Sequence, residues 1–182
     1  MTRIGRFTMS GLGAFALALV ALGADAPKPQ TVDVGGLTFE APATWKSSKP
    51  SSTMRKAQLA VAPAAGDTDA AELVVFVFPG GAGTVESNVE RWRKQFQDAE
   101  GRPPEVVSKA LKGKNTQVTR VEVAGKYRDP FSQAGEKPNY RLLGAIVVTG
   151  DAGYFLKMVG PDKTMKAATT DFDALIASIA TK

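Results

Sequence analysis

Apolar residues crowd the C-terminal part of the chain in two different rhythms. Leu142-Leu143-Gly144-Ala145-Ile146-Val147-Val148 is an apolar run with a β-branched end. It is too short for a free-standing helix and suits a pleated strand. Thr149 to Gly153 supplies turn residues, and Tyr154-Phe155-Leu156-Lys157-Met158-Val159 predicts the returning strand of a hairpin. Gly160-Pro161 is expected to end that strand, because proline cannot donate to a ladder. The period then changes. Met165, Ala168, Phe172, Leu175, Ile176 and Ile179 recur at steps of three and four, the stripe of an amphipathic helix from about Thr164. Asp162 or Thr164 is the expected cap, and Asp171 and Asp173 fall off the stripe toward water.

Both hairpin strands are apolar at nearly every position, so both faces of their sheet should be covered. The C-terminal helix covers one face. The second cover is predicted where Val85, Val89, Trp92 and Phe96 stand at helical steps. Thr84 is its natural N-cap, with Ser87 and Glu90 as an alternative capping box. Glu72 to Phe78 reads as a third central strand. Arg55 to Ala62 alternates and belongs nearer an edge; Thr116 to Val123 alternates with Val121 and Val123 inward, Arg120 and Glu122 outward. Thr31 to Glu40 reads as a small hairpin turning at Gly35-Gly36, with Val32 and Val34 on one face and Leu37 and Phe39 on another. Trp45 reads as a core plug. Ser47 to Ser52 is a polar loop, Val106 to Lys114 fits neither period, and Arg128 to Asn139 is the longest irregular stretch. The expected fold class is α/β of the α+β type: an antiparallel sheet of about six strands with helices packed on both faces.

The beginning of the chain has another character. Arg3 and Arg6 precede an apolar segment, Gly11 to Ala24, that ends in small residues. This is the layout of a secretory signal peptide, shorter than the roughly 20 apolar residues a bilayer span needs. The expected organisation is a signal peptide over 1–24, a leader over 25–30 and one domain over 31–182. Secretion or residence in the periplasm follows, with no stable membrane insertion of the mature chain. The 182 residues carry a formal charge of +5 and contain no cysteine and no histidine. The basic residues form no stripe, so nucleic acid is not an expected partner. The missing histidine and cysteine remove the usual general base, the common nucleophile pairs and most transition-metal sites. No cofactor is expected, and the oligomeric state is not legible.

Three groups of residues carry a family resemblance. They are Phe39-Glu40-Ala41-Pro42 with Trp45; Gly81-Ala82-Gly83-Thr84-Val85 with Asn88, Arg91-Trp92 and Gln95-Phe96; and Gly153-Tyr154-Phe155-Leu156-Lys157 with Gly160-Pro161 and Phe172. Together they resemble the exported bacterial members of the PsbP-like family, over about Val32 to Ile179. The resemblance implies an antiparallel sheet with helices on both faces. It also implies a binding protein rather than an enzyme.

Two stretches are candidates for chemistry. Gly80-Gly81-Ala82-Gly83-Thr84 precedes a helix start, where free N–H groups attract anions. The lysine of a phosphate loop is missing, because Gly83 stands before Thr84. A capped glycine turn is the competing reading. Gly81, Gly83, Thr84, Asn88 and Arg91 are the candidate ligand-binding residues; none is proposed as catalytic. Asp67, Asp69 and Glu72 are three close carboxylates without the rest of a calcium loop, so no metal site is expected. The expected function is a non-catalytic exported binding domain with a protein partner. The rivals are a small-anion or nucleotide binder using the glycine loop, and a hydrolase built on carboxylates, Ser or Lys.

Overall fold

The computed structural model describes residues 27–130 and 132–182. The signal-peptide segment and the first two residues of the leader lie outside the described residues. The elements are β1 (Gln30–Asp33), β2 (Leu37–Ala41), β3 (Lys46–Ser48), β4 (Arg55–Val61), β5 (Ala71–Pro79), α1 (Val85–Arg93), β6 (Phe96–Gln97), β7 (Val106–Lys112), β8 (Gln117–Tyr127), β9 (Lys137–Val148), β10 (Ala152–Pro161), α2 (Asp162–Ala167), α3 (Thr169–Ser178) and β11 (Ala180–Thr181). The main sheet has eight strands, in the order β3-β4-β5-β10-β9-β8-β6, with β7 paired to β8. Every pairing is antiparallel. A second sheet has the order β1-β2-β11.

The expected sheet of about six strands is therefore too small. The extra strands come from places where periodicity is silent. β7 is exposed along most of its length, with Leu111 and Val106 half-buried, so it shows no inward face in sequence. β3 lies in the expected polar loop and is exposed throughout. The N-terminal hairpin stays out of the main sheet. Val34, Leu37 and Phe39 are buried in the same core, with Val32 packed against it, so its apolar residues share one side rather than two.

The central hairpin forms as predicted, with Phe155 opposite Ile146 and Leu156 opposite Ala145. Gly160 and Pro161 do not stop it; they pair with Arg141 and Tyr140 at the end of the ladder. The predicted C-terminal helix is two helices, α2 and α3, broken at Ala168. Neither Asp162 nor Thr164 is the cap. Asp162 is the first residue of α2, and the carboxylate of Asp67 accepts from Thr164 N at 2.8 Å and Thr164 Oγ1 at 2.7 Å.

Two cores lie on the two faces. On one, Leu73, Val75, Leu143, Ala145, Leu156 and Met158 meet Met165, Phe172, Leu175 and Ile176, and the small sheet closes over α3. On the other, Val121, Leu142, Ile146 and Phe155 meet Trp92 and Phe96. Gly144 makes the second contact possible: a Cβ there would stand 2.2 Å from Trp92 Cζ3. α1 is shorter than predicted, since Phe96 already belongs to β6.

Arg120 and Glu122 do not face water as expected. They share their face with Ala145 and Leu143, under α3. Arg120 is 7% exposed and bonds Glu122 at 2.8 Å and Asp173 at 2.6 Å. Arg141 continues the chain of charges to Glu122 and to Asp162, which also holds Lys166.

Candidate functional site

A cleft of about 550 Å³ opens on the α1 face. That volume lies in the range of small-molecule sites. Its floor is the sheet: Val74, Phe76 and Phe78 of β5, and Phe155, Lys157 and Val159 of β10. Asn88, Arg91, Trp92 and Gln95 form one wall. Asp129, Ser132, Ala134 and Gly135 of the long irregular stretch, Lys137 at the start of β9, and Met54-Arg55 form the other sides.

The cleft exists because α1 is short. Nine residues cannot cover the same face of a sheet whose central strands run to ten and twelve. The uncovered part keeps the aromatic rings that close packing would otherwise consume. Phe78 meets Phe155 edge-on at 5.7 Å, and Trp92 meets Phe155 edge-on at 6.5 Å. Tyr127 stacks on Tyr140 at 6.1 Å.

Lys157 stands in the middle of this surface. The register places it opposite Val74 on one side and Gly144 on the other. Its Nζ donates to Gln95 Oε1 at 2.6 Å and to Tyr127 Oη at 3.2 Å, and lies 5.3 Å from the Tyr127 ring centre. Both hydrogen-bond partners are neutral. Burial pushes the Lys157 amine down to about 8, with Asp129 opposing and Arg55 assisting. Burial also pushes the Tyr127 phenol up, so it remains a hydroxyl donor. The other charges at the cleft are differently placed. Arg55 bonds Gln58 and Glu72, and Lys137 and Tyr140 converge on Asp69.

The residues singled out in the sequence divide between cleft and turn. Asn88 and Arg91 line the cleft. Asn88 is 2% exposed, and its Nδ2 donates to Ala82 O at 2.9 Å and Thr84 O at 2.8 Å, tying the glycine turn to the helix. Arg91 is exposed on the rim. Gly81 and Gly83 take φ of 91° and 84°, which favours glycine, and Thr84 caps α1 by accepting from Ser87 N at 3.1 Å. The Glu86 carboxylate is held below its usual range by its own backbone N–H and the Thr84 hydroxyl. A carboxylate of the chain itself thus stands where an outside anion would bind. Asp67, Asp69 and Glu72 do not converge: the first caps α2, the second takes Tyr140 and Lys137, the third takes Arg55 and Gln58.

Lys157, Tyr127, Phe76 and Phe155 carry the cleft and were not among the candidates. One signal was available. Lys157 is the lone charge in a strand otherwise apolar on both faces, and such a charge must be accommodated somewhere.

An antiparallel sheet clasped between α1 on one face and α2 with α3 on the other is the PsbP-like fold. No family model and no curated protein matches the sequence. Solved structures do. The solution structure of cyanobacterial PsbP from Synechocystis sp. PCC 6803 superposes with a TM-score of 0.53 at 15% identity, covering 94% of this chain and 99% of that one. LpqN of Mycobacterium tuberculosis, described as involved in cell envelope biogenesis, gives 0.53 at 11% identity over 85% and 91%. A Bacteroides thetaiotaomicron protein gives 0.50 at 9% identity over 86% and 49%. At such identities the likeness is one of fold.

Proposed function

We propose that this chain is an exported, non-catalytic binding domain whose ligand enters the cleft beside α1. One observation carries the reading: a concave, aromatic-lined cavity holds a desolvated cation with neutral partners. Such a site combines apolar contact area with one oriented polar group, as small-molecule sites do. The chain has no histidine or cysteine, and of the two carboxylates at the cleft, Glu72 and Asp129, the first is engaged by Arg55 and Gln58. That inventory supports binding over catalysis. Export is supported by the N-terminal pattern, and no helix among the described residues is long and apolar enough to cross a membrane.

A protein partner has less to favour it. Of the exposed large apolar side chains, Val107 and Val148 sit on separate strands and Met54 lies at the cleft itself. None of them forms a contiguous apolar patch of the kind that marks a protein interface.

Filling the cavity tests the proposal. Val159→Trp puts a bulky ring on the floor. The purified protein and this variant would each be extracted, and small molecules measured by mass spectrometry. Enrichment in the parent protein, lost in the variant, is the expected result. No enrichment, together with no chemical-shift change at cleft amides across a panel of amphiphiles, would end the proposal.

A further inference from the structure

We infer that the occupant of the cleft is a small amphipathic carboxylate, its acid group held by Lys157 Nζ and the Tyr127 hydroxyl, its apolar body laid on Phe76, Phe78 and Phe155. The inference rests on the α1 cleft being the binding site.

Four basic residues line the cleft, Arg55, Arg91, Lys137 and Lys157, against two acids, Glu72 and Asp129. The excess is positive. Two of the four are already matched: Arg55 pairs with Glu72 at 3.1 Å and Lys137 with Asp69 at 3.1 Å. Arg91 sits on the exposed rim, where solvent screens it. Lys157 is the charge that differs. Its hydrogen bonds go to a side-chain amide and a phenol, although a charge removed from water is stable only when paired. Arg120, a base that is buried outright, has two carboxylates. Asp129, the remaining acid at the cleft, acts on Lys157 through space, while the hydrogen bonds of Nζ go to neutral groups; a carboxylate in direct contact with the ammonium is left to be supplied from outside.

The register then fixes the shape of that counter-ion. Phe155 is opposite Phe76, and the next same-face pair along the ladder is Lys157 opposite Val74. Rings and ammonium lie side by side on one floor, so a ligand that meets both must carry an apolar body next to its acid. The Tyr127 phenol, 3.2 Å from Nζ, adds a second donor to the same spot. One ammonium and one hydroxyl suit a monoanion; a phosphate dianion would call for a second cation there.

The test compares ligands of one chain length on the ¹⁵N-labelled protein: decanoate, decanol, decylamine and decyl phosphate. Decanoate should bind about tenfold more tightly than decanol, as one charge-assisted contact provides, and decylamine most weakly. Lys157→Met should bring decanoate to the affinity of decanol without changing decanol itself. Tyr127→Phe should weaken decanoate alone, by a few-fold. Equal binding of decanoate and decanol at cleft amides would overturn the acid recognition while leaving the cleft as a binding site. So would tighter binding of decyl phosphate, or a preference for decanoate that survives in Lys157→Met. If no ligand moves a cleft amide, the binding site itself falls.

Discussion

The two faces of the main sheet have been finished differently. Under α2 and α3 the chain packs to closure: Phe172, Leu143, Leu156, Met158 and Met165 are fully buried, and the small sheet lies over α3. Under α1 it stops short and leaves a cleft whose floor residues Phe76 and Phe78 are only half-buried. The charges follow the same division. On the closed face Asp173, Arg120, Glu122, Arg141, Asp162 and Lys166 alternate in sign along one network. On the open face Lys157 has neutral partners. A face built only for stability has no reason to keep, among aromatic rings, an ammonium whose hydrogen bonds go only to neutral groups. The closed face holds the fold together, and the open face is where function has been paid for in stability.

The largest test of this division is truncation of one ring on each face. Phe172→Ala should cost about 4 kcal/mol, because a fully buried ring leaves a cavity its neighbours cannot fill. Phe78→Ala should cost about 1 kcal/mol or less, since its ring already borders an open space. Urea denaturation of the two variants measures both. Equal losses would mean that the cleft wall is part of the structural core.

Removing Arg120, which is buried, and Lys157, which is partly buried, should act in opposite directions. Arg120→Met should destabilise by about 2 kcal/mol; Glu122 keeps Arg141, and Asp173 can return to water, so the loss stays below that of a sealed pair. Lys157→Met should stabilise by an amount on the order of 2 kcal/mol at pH 7, the shift being discounted for the half-buried stem. The pH dependence has a definite sign. Unfolded, the Lys157 amine holds its proton to about pH 10.5; folded, to about 8. Between these values the unfolded state binds more protons, so stability rises with pH. The raised Tyr127 works in the opposite sense only above pH 10, which leaves pH 8 to 10 as the clean window. Melting curves of the parent protein should show that rise, and Lys157→Met should flatten it.

This division was partly legible in the sequence. Runs such as Leu142–Val148 and Leu73–Phe78 announce strands covered on both faces, and the stripe through Phe172 and Ile176 announces one cover. Val85, Val89 and Trp92 announce the other. What periodicity does not carry is how far a cover extends. α1 ends at Arg93 because Phe96 is taken by Tyr127 in a strand pairing, a long-range contact with no local signature. Edge strands such as β7 escape for a related reason: exposed on both sides, they have no period to read. The cleft is the gap left by a helix that ends early, and its residues come from β4, β5, α1, β8, β9 and β10. Only Asn88 and Arg91 of the predicted site were found there, because a glycine turn draws attention to the helix start rather than to the helix face. Arg120 and Lys157 look alike in sequence, each a base in an apolar strand. Only the register shows which of them meets carboxylates.

The smallest expected effects concern how each cover is anchored. α1 starts at Thr84, an exposed residue whose hydroxyl caps Ser87 N. α2 is held by Asp67, which receives two hydrogen bonds from Thr164, itself 2% exposed. Asp67→Ala leaves the Thr164 O–H and N–H donors without their acceptor, although Thr164 Oγ1 still accepts from Ala64 N, and should cost about 2 kcal/mol of global stability. Thr84→Ala leaves groups that water can reach, so its cost should be about 1 kcal/mol at most. Its readout should also be local. Amide exchange in α1 should quicken about fivefold while β9 and β10 keep their protection, because the closed face and the sheet hold without the shorter helix. A Thr84→Ala variant that instead lowered protection across β9 and β10 would show α1 to be part of the structural core. The contrast between a closed structural face and an open binding face would then not stand.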